Sequence, residues 1–145
     1  MIQKDITITK ANVMSEVYKI TGYTAKDSEQ EVEPDKVAAT EDEIKLLESY
    51  YGEAITGITD IVSNYGYLKS DDSTSCIFNI SMPSNWNVNL LSALEKNMNQ
   101  FMMNFICGRW FNISKKNEVN FYTSLSVEMK NKIIRILNER IKPTR

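Results

Sequence analysis

Apolar residues recur at helical spacing in four stretches of this chain and alternate in two. The longest helical stretch runs from Trp86 to Phe111 without a breaker. At 100° per residue, Leu90, Phe101, Leu94, Phe105, Met98, Leu91, Met102 and Ile106 fall in one arc of about 160°. Met103, Cys107 and Trp110 add an apolar strip over the second half. The pattern predicts a central helix whose first half keeps one wet strip, Lys96, Asn97, Gln100 and Asn104. Its second half should be covered on two sides. Gly108 is expected to let a neighbouring helix approach closely. Arg109 lies in the apolar arc near the helix end, where it could cap carbonyls, pair with an acid or reach out to solvent.

Three further helices follow from the same reasoning. Thr9 reads as the N-cap of a helix to about Thr21, with Val13, Val17 and Ile20 on one face and Gly22 ending it. Thr40-Glu41-Asp42-Glu43 is a capping box that opens a strongly amphipathic helix to about Asn64. Leu46 alone sits on the polar side of that helix and marks a contact outside the core. The last helix, 117–141, lines Val119, Tyr122, Leu125, Met129, Ile133, Ile136 and Leu137 along one face.

Cys76, Phe78, Ile80 and Met82 alternate with more polar neighbours and predict a strand with one buried face. A lone strand is not stable, so it must pair with the loosely alternating residues 2–8 or with another chain. Tyr65-Gly66-Tyr67 is expected to close the second helix, and Lys69 to Thr74 to form a polar turn. Residues 24–39 are polar and mostly acidic and predict a mobile acidic loop. The fold class expected is mainly α: a single domain over 1–145 with four helices, and one strand or hairpin before the central helix. Its core is built from 86–111, 40–64 and 117–141.

A length of 145 residues fits one domain. Histidine, the commonest general base and metal ligand, is absent. Cys76 and Cys107 lack Cys-x-x-Cys spacing and read as small buried apolar residues, which suits a reducing compartment. The glycines form neither a phosphate-binding loop nor a dinucleotide fingerprint, and no nucleophile elbow is present. The acidic clusters have no calcium-loop spacing. The expectation is therefore a protein that is not an enzyme, with no catalytic, cofactor-binding or metal-binding residues. No signal-peptide segment stands at the N-terminus and no run is long enough to span a membrane, so secretion and membrane insertion are not expected.

Charge is divided unevenly. Residues 1–108 hold 8 Lys/Arg and 16 Asp/Glu, while residues 109–145 hold 9 and 3. Such polarity suits head-to-tail association or an acidic partner. The cations point in several directions around the last helix, so contact with nucleic acid, if any, would be with the backbone rather than the bases.

Three pieces of the chain, spread over residues 9–111, carry a family resemblance. One is the short first helix, Asn12 to Ile20. Another is Glu41-Asp42-Glu43 followed by Leu46, Leu47, Ala54 and Tyr65-Gly66. The third is Met82-Pro83 leading into the long apolar helix. In this order they resemble the adaptor class of bacteriophage head–tail connector proteins, small helical proteins that form a ring beneath the portal. The 24–39 loop is longer than in that class, and a helix of about 25 residues replaces its short C-terminal segment. The resemblance implies a virion structural protein of the neck, a homo-oligomeric ring between the portal and a stopper or tail protein. It would assemble in the host cytoplasm and could touch packaged DNA without sequence preference. No small-molecule substrate is expected. The residues expected at contacts with neighbours are Leu46, Tyr67, Glu29, Glu31, Lys132, Arg135, Lys142 and Arg145. A small helical nucleic-acid-binding or regulatory protein is the alternative reading.

Overall fold

The computed structural model describes residues 1–27, 43–114 and 118–141. The chain is mainly helical with a small antiparallel sheet. Its elements are β1 (Ile2–Thr9), α1 (Lys10–Asp27), α2 (Ile44–Val62), β2 (Gly66–Asp71), β3 (Ser75–Met82), α3 (Leu91–Ser114) and α4 (Val119–Asn138). A short 3-10 turn, Val88–Leu90, precedes α3.

The strand predicted over Cys76–Met82 sits in the middle of the sheet, in the order β1-β3-β2. It pairs with β1 from Ile2↔Met82 to Thr9↔Ser75. Cys76, Phe78, Ile80 and Met82 are fully buried, as are Ile6 and Ile8 opposite them. Every second residue thus faces the helices, as the pleat requires. On its other edge β3 pairs with β2, with a register shift between Leu68 and Ser70. The expected polar turn over Lys69–Thr74 is therefore corrected: its first part is strand. The true turn is Asp72 to Ser75, where the Asp72 carboxylate accepts from the Thr74 and Ser75 amides at 2.8 and 3.0 Å. That is the local bond that suits aspartate to turns.

The helices also differ from expectation at their ends. α1 runs past Gly22 to Asp27, so Gly22 is not a terminator and residues 24–27 of the expected acidic loop are helix, while 28–39 lie outside the described residues. Thr40, Glu41 and Asp42 of the expected capping box lie outside the described residues, and Glu43 stands as the N-cap of α2 without a side-chain bond to the helix that follows. The central helix begins at Leu91, not Trp86. Asn87 accepts from the Asn89 amide at 3.2 Å and starts the 3-10 turn instead. At its other end the central helix runs past the expected limit at Phe111 to Ser114.

Trp86 has a different task. Its ring is 1% exposed, and its Nε1 donates to the Ile136 carbonyl at 2.9 Å. Next to it, the Ile141 amide donates to the Asn85 carbonyl at 2.7 Å. The segment before α3 therefore clasps the C-terminal end of α4, where helix carbonyls lack intrahelical partners. One core joins both layers, with Val13 and Val17 of α1 and the inner sheet face added to the three helices expected to build it.

Two pairs of variants check this packing. Trp86→Ala should lower the unfolding free energy by about 3–5 kcal/mol, and Phe105→Ala, whose ring is half-buried, by about half as much. Equal losses in urea unfolding would contradict the arrangement. Gly66→Ala would drive a methyl into the Asn79 carbonyl and should unpair β2. Gly108 is buried in α3, yet a methyl there would meet Thr123 and Tyr122 of α4 at ordinary distances of 3.5–3.7 Å. The close approach expected at this glycine is thus not a tight one. Gly108→Ala should stabilise by about 0.5–1 kcal/mol, and a lower melting temperature would show that α4 sits closer.

Candidate functional site

The expected contact residues that the structure describes fall on separate elements. Leu46 lies in the first turn of α2, 36% exposed, with Ile44 two positions before it at 47%. Tyr67 is 58% exposed on the outer face of the sheet, opposite Asn79 of β3. Lys132 and Arg135 belong to α4, where Lys132 is tied to Glu128 at 3.3 Å and Arg135 is exposed. Glu29, Glu31, Lys142 and Arg145 lie outside the described residues. The structure thus offers several separate surfaces rather than one cluster.

Between α2 and α4 runs an open groove of about 400 Å³, lined by Gly57, Ile61, Phe101, Ile134 and Leu137 among others. Asp60 and Lys130 also line it. It exists because both helices lie on α3 and touch each other little. One end is polar: the Tyr65 hydroxyl donates to Asn138 Oδ1 at 2.6 Å. Arg140 donates to the Tyr65 oxygen at 3.3 Å and to the Leu137 carbonyl at 2.9 Å. This cluster caps α4 and spends its polar atoms on the fold. The sequence carried only a faint signal of it, a basic residue just past a helix end.

The reactive groups are sheltered. Cys107 is buried, and burial pushes its thiol up to about 12. Cys76 is likewise pushed up by burial and receives the Tyr51 hydroxyl at 3.8 Å. A thiol held protonated in an apolar setting is a poor nucleophile. Among the described residues there is no group of three or more His, Cys, Asp or Glu that could hold a metal ion. No helix among them is long and apolar enough to cross a membrane. Arg109, left open by the sequence, pairs with Glu53 at 3.5 Å and lies over the Phe105 ring.

The outer face of the sheet carries a polar row that the sequence did not reveal. Asp5 accepts from Asn79 Nδ2 at 2.8 Å and from Lys69 Nζ at 2.9 Å. It ties all three strands together. The residues are 64 and 74 positions apart, so no local pattern announces them.

No protein family, curated protein or solved structure matches this chain.

The polar row sets a pH dependence. The bond from Lys69, and then that from Asn79, holds the Asp5 carboxyl below its ordinary value. A depressed carboxylate adds stability above the unfolded value of about 3.9 and loses it as pH falls through the folded value. The melting temperature of the natural chain should therefore exceed that of Asp5→Asn at pH 6, and the gap should close on acidification below about pH 4. A gap that persists unchanged to pH 2 would show that the carboxylate charge is not what matters.

Proposed function

We propose that this chain is a non-enzymatic structural protein of a phage virion, part of a neck ring that joins the portal to a stopper or tail protein. The observation that carries this reading is the spread of large exposed apolar side chains over different elements. Leu46 and Ile44 are on α2, Tyr67 on β2, and Phe121, Val127 and Ile134 on α4. A ring subunit needs unlike surfaces for its two neighbours, and further ones for the layers above and below. The order of elements and the uneven charge along the chain support the same reading. On this view the groove between α2 and α4 is a packing consequence, not a substrate site.

The second reading, a small helical nucleic-acid-binding protein, draws on Lys130 and Arg135. Both are exposed on α4 and have no carboxylate partner among the described residues. Contacts of this kind would be to phosphate and would weaken steeply with salt.

Light scattering and negative-stain imaging of the purified chain separate the two. The connector reading expects closed rings, or rings that form on addition of a portal ring. A chain that stays monomeric at high concentration and ignores the portal overturns it. Salt-sensitive DNA binding weakened by Arg135→Ala would favour the second reading instead.

A further inference from the structure

The face of α4 turned away from the core is uncharged along its middle. Asn120, Ser124, Val127, Asn131, Ile134 and Asn138 follow one another at steps of four and three, and all six are exposed. Val127 is 49% and Ile134 37% exposed, although both are aliphatic residues at the centre of the strip. Charges flank it, Glu128 and Arg135 on one side and Lys130 on the other. Any outward helix face has this spacing. The order of the flanking charges is what selects an occupant.

We propose that this face of α4 pairs antiparallel with the same face of a second copy of the chain. In a parallel pair the flanking residues that meet are five apart. Lys130 of each copy would then stand beside the partner's Arg135, a like-charge contact made twice. In an antiparallel pair with Asn131 opposite the partner's Ile134, Glu128 stands beside the partner's Arg135, and this contact is also made twice. Lys130 then meets no charge, since the position opposite it on the partner is Leu137, whose side chain is buried in its own core. Sliding the pair by one heptad, so that Asn131 meets the partner's Val127, sets Glu128 against the partner's Glu128. Charge thus picks one orientation and one register. Glu128 keeps its bond to Lys132 at 3.3 Å, since a carboxylate can accept from both neighbours. Arg135, which has no partner among the described residues, gains one.

Four polar positions among six make the seam weak and the association micromolar rather than nanomolar. The contact is two-fold, so it stands apart from the ring contact, which must be heterologous. Where rings form, it would join them in pairs.

Sedimentation equilibrium of the full chain tests the pairing, with circular dichroism to confirm folding of each variant. The natural chain should show a two-fold species, a dimer of chains or of rings. Arg135→Glu should raise its dissociation constant about tenfold, and Glu128→Arg should do the same. The double variant Glu128→Arg/Arg135→Glu should restore it. In a ring-forming chain Arg135→Glu would halve the mass and leave the ring, so the two ideas fail separately. Association that Arg135→Glu strengthens, as a parallel pair requires, would overturn the proposal. So would indifference to that change, or a chain lacking the two-fold species up to ~1 mM.

Discussion

The second half of α3 buries a broad apolar face. Met102, Ile106, Cys107, Trp110 and Phe111 are all buried, and at 100° per residue they span about half of the helix, with Arg109 and Asn112 exposed on the other side. Burying each large apolar side chain contributes roughly 1.5–3 kcal/mol, so this segment alone demands cover from several directions. The arrangement of the other elements answers that demand. α4 lies along the helix with Met129, Ile133 and Ile136 turned inward, α2 brings Leu47, Ala54 and Ile58, and α1 brings Val13 and Val17. The inner sheet face, with Phe78 and Ile80, closes the remaining side of the same core.

α4 bears the most weight in this scheme, and the chain secures it at its far end. A helix packed by one face still leaves its last carbonyls open. Here Trp86 donates to the Ile136 carbonyl and Arg140 to that of Leu137. The segment between sheet and spine is thus a clasp, which explains why a residue as large as Trp86 lies outside the helix that its apolarity seems to extend. The price is that the outer face of α4 stays uncovered, with Val127 and Ile134 upon it.

Much of this was legible from periodicity. The strand Ser75–Met82, the amphipathic face of α2 and the inward face of α4 each repeat at one clean period, because each has one side against a single core. The features missed are those that no local period encodes. Gly66 to Asp71 is an edge strand with no fully buried residue, so its alternation is weak and its glycine and aspartate read as turn residues. Trp86 falls about 40° outside the helical arc of residues 90–106, and its contact with Ile136, 50 positions away, shows where it belongs. Gly22 reads as a stop, yet no described glycine has positive φ. Nothing in the local sequence after it forces the helix to end. Of the expected contact residues that the structure describes, Leu46, Tyr67 and Arg135 are exposed and Lys132 is half-buried. Their scatter over separate elements could not be read from the chain.

The exposed surfaces are not equal as places for another chain to bind. The outer face of the sheet is occupied by Asp5, Asn79 and Lys69, whose polar atoms already bond one another. The β2 edge has a register shift and a lysine, the two devices that discourage strand addition. The groove between α2 and α4 is closed at one end by Tyr65, Asn138 and Arg140. Along the outer strip of α4 only Asn138, at its end, is tied up in this way: Val127 and Ile134 are exposed, and Arg135 has no partner among the described residues. Among the described residues the thiols are buried and the polar clusters brace the fold, so the outer strip of α4 is the surface left open to a second helix.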